Sequence, residues 1–191
     1  MPSARELLAD LTGGDEARAE IAAGLLALRG HDIFTEIEPL LESADADIRW
    51  WAIRTVGGMA EPRMDWLRRG LADGSADVRA AAALGLATHP DESSVPVLLK
   101  AVSDEDGVVA VLVVRALVAI GRAAVPALME AFDGAGPRGQ IQIMRAIAGI
   151  RDPRAIRLMM EVLGTNSALQ QHWAREGLDM LGLDMVYMMP E

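Results

Sequence analysis

The chain has 191 residues, a formal net charge of −10, and a composition that is 51% hydrophobic but only 4% aromatic. That charge argues against a general binder of nucleic acid or anionic membrane, which carries a basic field, and the lack of cysteine excludes disulfides, thiolate metal sites and a cysteine nucleophile. No apolar stretch approaches the roughly 18 residues of a membrane span, and the start, Met1-Pro-Ser-Ala-Arg-Glu, has neither the basic end nor the apolar run of a secretion signal, so a cytoplasmic protein is expected.

From the N-terminus onward, helical spacing returns at a fixed period. Leu7, Ile37, Leu67, Leu98, Leu128 and Leu158 recur every 30 or 31 residues. Each is followed four positions later by a second apolar residue: Leu11, Leu41, Leu71, Val102, Phe132 and Val162. An i, i+4 pair marks one face of a helix, and a period near 30 along the whole chain marks a stacked repeat. The first helix of each unit is predicted over 4–12, 33–43, 62–73, 94–103, 124–133 and 153–163. The second is predicted over 16–29, 47–59, 77–88, 107–120, 137–150 and 168–181. These second helices carry ladders of their own, Ala22, Ala52, Ala82, Val113, Ile143 and Trp173, then Leu26, Val56, Leu86, Leu117, Ile147 and Gly177. Both ladders are assigned to the core.

The turns hold residues that start helices. Asp15, Asp47, Asp77, Asp106 and Ser167 are placed to accept free backbone N–H groups of the second helices. Glu61-Pro62 and Asp152-Pro153 do the same for first helices, with proline at the first helical position; Pro39 lies deeper and is expected to bend its helix. The repeats then fall at about 4–30, 31–60, 61–90, 91–121, 122–151 and 152–182 of one domain. A methionine-rich tail occupies 183–191, with Met185, Val186, Tyr187, Met188 and Met189 expected to fold back over Leu178 and Leu181 or to dock a partner.

Asp47-Ile-Arg-Trp-Trp-Ala52, Asp77-Val-Arg-Ala-Ala-Ala82, Val95-Pro-Val-Leu-Leu99 and Val125-Pro-Ala-Leu-Met129 resemble the repeat units of HEAT-like proteins. The short repeat looks most like the subclass named after phycobilisome lyases, and the likeness covers about residues 4–182. It implies an all-α fold, a right-handed α-solenoid of about six helix-turn-helix repeats, with the second helices lining a concave side. For function it implies less, because that family holds lyase subunits, hydroxylases, glycosylases and scaffolds.

On the second helices, the face opposite the core ladders carries Gly24, Arg54, Leu84, Arg115, Arg145 and Arg175. Beside this row stand Trp50, Trp51, Val111, Leu112 and Ile141. Tryptophan and arginine are enriched among residues that dominate binding energy, and arginine grips carboxylates with two parallel bonds. The expected site is therefore a groove of Trp50, Trp51, Arg54, Val111, Leu112, Arg115, Ile141, Arg145 and Arg175 that holds an acidic, partly apolar segment of a protein or peptide partner. The same arginines could instead pair with acids of adjacent repeats, while Arg49 and Arg79 are read as structural bridges between repeats.

Little chemistry is visible elsewhere. The family's di-iron hydroxylases use repeated His-Glu pairs, where this chain has His31-Asp32, His89-Pro90 and His172-Trp173. No metal, cofactor or catalytic residue is expected, and the chain is read as a non-catalytic binding scaffold. The alternatives are a bilin-lyase-like subunit, or an alkylpurine glycosylase-like enzyme. The latter would need an acid one turn from the tryptophan pair, where position 54 is arginine.

Overall fold

The computed structural model describes residues 2–183, and the methionine-rich segment expected beyond them lies outside the described residues. Among these residues all regular structure is helical, with no strand. The helices fall into two compact units, Met1–His89 and Pro90–Glu191.

The first unit holds α1 (Ala4–Thr12), α2 (Glu16–Ala27), α3 (Phe34–Ile37), α4 (Ala46–Gly57), α5 (Met64–Gly70) and α6 (Ala76–Thr88). α1 packs on α2, α5 on α6, and α2, α4 and α6 stack in succession. The predicted helix over 33–43 is broken here. Residues Gly30–Ile33 and Glu38–Glu42 form 3-10 turns on either side of the single α-turn α3. Pro39 sits in the second of these turns, where its missing N–H and fixed φ cost least.

The second unit holds α7 (Val95–Ala101), α8 (Gly107–Ile120), α9 (Val125–Ala131), α10 (Gly136–Ile150), α11 (Ile156–Leu163) and α12 (Ala168–Met180). α8 and α12 both pack against α10, and each first helix packs on its following helix. Short 3-10 turns, Glu92–Ser94, Gly121–Ala123 and Pro153–Ala155, lead into α7, α9 and α11. They shorten the predicted first helices at their N-terminal ends.

Most of the ladders are core. Ile37, Leu67, Leu98 and Leu128 are fully buried, as are Ala22, Ala52, Ala82, Val113 and Ile143. The last repeat departs from them: Leu158 and Trp173 are half-buried, and their neighbours Met159 and Ala174 take the core positions. Packing gives the reason. A Cβ on Gly177 would lie 3.1 Å from the Ala148 Cα, so α12 approaches the α10 backbone closely. A tryptophan does not fit where helices come that near, and α12 presents Ala174 there instead. A comparable approach occurs in the first unit, where a Cβ on Gly85 would meet the Gly57 Cα at 3.3 Å and Leu67 Cδ2 at 2.9 Å.

The caps differ from expectation in places. Asp15, Asp106 and Ser167 accept backbone N–H groups as expected, and Asp152 caps the 3-10 turn through the Arg154 N–H. The cap of α4, however, is Asp45, which accepts from the Asp47 N–H at 2.9 Å, while Asp47 lies in the first turn. Ser75 precedes α6, with Asp77 in its first turn, and α5 starts after Arg63 rather than at Pro62. In these cases the sequence offers two capping residues, or a proline, within three residues, and spacing alone does not choose between them.

Candidate functional site

The nine residues of the expected groove separate into two settings, one in each unit. In the first unit, α4 begins at the Asp45 cap and carries Trp50 and Trp51 one turn further on. Both indoles are half-buried, meeting edge to face with ring centroids 4.6 Å apart and an interplanar angle of 79°. They line an open cleft of about 480 Å³ together with Leu11, Glu16, Asp45, Asp47, Ile48 and Asp77. The ionisable groups on this wall are all carboxylates. Asp47, three residues before Trp50, is an acid within one turn of the tryptophan pair; by sequence it reads as a helix cap, and an acid is looked for only at position 54. Among the described residues no group of three histidine, aspartate or glutamate side chains is arranged to hold a metal ion.

Arg54 does not complete an arginine row here. Its guanidinium donates to Glu20 on α2, the second helix of the preceding repeat, the repeat-to-repeat pairing that spacing allows. Arg49 is more deeply set. Its Nε and Nη2 each donate to the Asp73 carboxylate at 2.8 Å, and its Nη1 donates to the Ser43 carbonyl at 2.8 Å. This charged pair and the Ser75 N–H hold the Asp73 carboxyl below its usual range, against an opposing push from burial. Arg79 donates to the backbone carbonyl of Asp73 at 3.1 Å. The structural reading of Arg49 as a bridge between repeats is thus borne out.

In the second unit the remaining residues lie on α8, α10 and α12. Val111 is 41% exposed, Leu112 and Ile141 are half-buried, and Arg115 and Arg175 are exposed. Neither of these two arginines forms an ion pair among the described residues. Arg145, half-buried, lies with its guanidinium carbon 5.1 Å from the centre of the Trp173 ring. Trp173 in turn meets His172 edge to face, centroids 5.0 Å apart. Sequence reasoning put Trp173 in the core and so missed this platform. A bulky aromatic at a ladder position filled by alanine, valine or isoleucine in the other repeats was the available signal.

Comparison with known proteins fits this architecture. A family profile of HEAT repeats matches residues 64–138. The phycocyanobilin lyase subunit beta of Pseudanabaena tenuis (strain PCC 7409) is 35% identical over 78 residues, 41% of this chain and 28% of that protein. The bilin biosynthesis protein RpcF of Synechococcus sp. (strain WH8020) is 31% identical over 75 residues, 39% of this chain and 36% of that protein. The chain therefore spans about a third of the length of these curated relatives. Among solved structures, the complex of CpcE and CpcF of phycocyanin lyase from Nostoc sp. PCC7120 aligns over 95% of this chain and 78% of that one. Its TM-score is 0.56 at 22% identity. An engineered protein aligns over 95% of this chain and 97% of its own, with a TM-score of 0.53 at 20% identity. Such structural likeness speaks for the fold alone.

The expectation of a non-catalytic scaffold is overturned by the two relatives, one named a lyase subunit and the other a bilin biosynthesis protein, which favour the bilin-lyase-like alternative. No helix among the described residues is long and apolar enough to cross a membrane. With paired helices through both units and a HEAT-repeat profile matched over residues 64–138, the chain has a HEAT-like repeat architecture, and its curated relatives are named for a bilin lyase and for bilin biosynthesis.

Proposed function

We propose that this chain is a bilin-lyase-type subunit that handles a linear tetrapyrrole on the α8–α10–α12 face of its second unit. The observation that carries this reading is the contact of the Arg145 guanidinium with the Trp173 ring, 5.1 Å from its centre, on the helices that also carry Arg115, Arg175 and the aliphatic side chains Val111, Leu112 and Ile141. A bilin is a long conjugated apolar body bearing two carboxylates. Val111, Leu112 and Ile141 suit the body, and guanidinium groups suit the carboxylates, since charge-assisted bonds to carboxylate are about twice as strong as neutral ones. Trp173 adds a flat surface and fixes the orientation of Arg145 from below. Two relatives named for bilin chemistry support the same substrate class.

The chain's part in the reaction is then binding and orientation. Having no cysteine, it cannot itself carry a pigment on sulfur, so any thiol acceptor belongs to another protein, and that acceptor is the partner we assign to the subunit. A protein segment with acidic and apolar residues is the rival occupant of this face, favoured by the exposed Val108 and Val111 beside Arg115.

Biliverdin added to the purified protein tests the proposal through induced circular dichroism in the visible range. A saturable signal is expected, lost or weakened by at least about tenfold when Arg115 and Arg145 are both changed to Glu, because carboxylates would then face carboxylates. Far-UV dichroism verifies that the variant is folded. An unchanged signal in a folded double variant, or no signal from the original protein, would remove the pigment from this face.

A further inference from the structure

We propose that the cleft of the first unit is a second, independent binding site, one that takes the guanidinium or ammonium side chains of a basic protein segment. It goes beyond the pigment-handling role, since it lies on other helices and has the opposite electrostatic sign. Two features define the recognition chemistry. The first is the tryptophan wall: Trp50 and Trp51 line the cleft as a fixed edge-to-face pair, and indole is the best aromatic face for a cation, preferring arginine. The second is the charge of the lining. Glu16, Asp45, Asp47 and Asp77 contribute four carboxylates and no arginine or lysine lines the cleft.

The nearby basic groups are already committed. Arg49 donates to Asp73 and to the Ser43 carbonyl, and Arg54 is paired with Glu20. Glu16, Asp47 and Asp77 form no ion pair among the described residues, so they can accept charge-assisted bonds from an incoming cation. A metal ion is a poor fit, because the acids are not grouped as ligands for one. An apolar anion would be repelled by four carboxylates. An organic cation on an apolar stem answers both walls: Ile48 and the indoles cover the stem while the head lies between indole and carboxylate. A volume of about 480 Å³ falls in the range of pockets that enclose small ligands and admits more than one such side chain.

The test uses a short fluorescein-labelled oligoarginine peptide and reads anisotropy at physiological salt. Because a protein of net charge −10 attracts any basic peptide, two charge-matched variants are compared. Asp47→Asn with Asp77→Asn removes two charges from the cleft, and Glu105→Gln with Glu130→Gln removes two exposed charges in the second unit. Binding should weaken by at least about tenfold for the first pair and for Trp50→Ala, and by much less for the second pair, as expected of a specific site rather than a diffuse field. The Arg115→Glu/Arg145→Glu protein should bind the peptide at least as well as the original. Equal losses from the two charge-matched variants, or binding that survives Trp50→Ala, would overturn the site. So would a peptide that fails to bind. Far-UV dichroism of each variant separates lost binding from lost fold. Asp45 is left in place because it caps α4.

Discussion

Arg49 on α4 holds Asp73, in the turn between α5 and α6, through two parallel hydrogen bonds of 2.8 Å. Their side chains are only 18% and 14% exposed. The pair ties one repeat to the turn of the next, and Asp73 also accepts the Ser75 N–H at 2.8 Å, ordering the residues that precede α6. A bond to a charged group shielded in this way contributes more than a surface ion pair. Arg49→Ala should lower unfolding free energy by about 1.5–3 kcal/mol, read as a drop in the urea midpoint. A loss below about 0.5 kcal/mol would place the pair among ordinary surface contacts.

Acid should unfold the protein through its repeat turns. Asp73 is held below the usual carboxylate range by Arg49, and Asp152 is held at about 2 by the Arg154 side chain and backbone N–H. A carboxylate whose pKa is lower in the folded than in the unfolded state adds stability above its unfolded value, and this is lost as pH falls toward the folded value. The contribution of Asp152 should therefore be complete above about pH 5 and disappear progressively between about pH 4 and pH 2. Urea midpoints measured from pH 6 to pH 2 should fall less steeply for Asp152→Asn than for the original protein.

Leu128 and Leu7 occupy the same ladder at different distances from the chain ends. Leu128 is completely buried and Leu7 is 3% exposed. Leu128→Ala should cost about 2–5 kcal/mol. Leu7→Ala should cost less, because a terminal repeat can open locally without global unfolding. Equal losses in chemical denaturation would argue against an array with a softer end.

The fold was legible because burial in a repeat protein is periodic. A residue such as Leu67 or Ala82 announces its place through its equivalents 30 residues away, and both are fully buried. Period says nothing about local exceptions. The close contact at Gly177 displaces Trp173 from the core, and Pro39 with its flanking turns reduces a predicted helix to α3; each depends on a particular side-chain volume or backbone angle. The candidate site was legible one residue at a time rather than as a set. Trp50 is half-exposed and Arg115 exposed, as residues kept out of the core ladders should be. Yet Trp50 belongs to a carboxylate-lined cleft, because the first turns of α2, α4 and α6 each hold an acid, Glu16, Asp47 and Asp77, where the helix dipole favours one, and these three gather around the indoles.

Arg115 and Arg145 should separate in stability measurements. Arg115 is exposed and unpaired among the described residues, so Arg115→Glu should change stability by no more than about 0.5 kcal/mol. Arg145→Ala removes the stacking on Trp173 and should cost about 0.5–1 kcal/mol. It should also shift the emission of Trp173, seen in a background where Trp50, Trp51 and Trp66 are replaced by Phe. Identical behaviour of the two variants would mean that the stacked guanidinium contributes nothing to the folded state.

The near-contact of Gly57 and Gly85 has a bearing on how this array can be rebuilt. At the positions equivalent to Gly85, the neighbouring repeats carry Thr55 and Ala116. Those residues have a Cβ, which at position 85 would run into Leu67 and the Gly57 backbone. The seam between the second and third repeats is thus keyed: its two glycines have to travel together. Duplicating, deleting or shuffling modules by their shared 30-residue frame would join mismatched keys there, whereas cuts that keep residues 57 through 85 intact would carry the matched seam into a new chain.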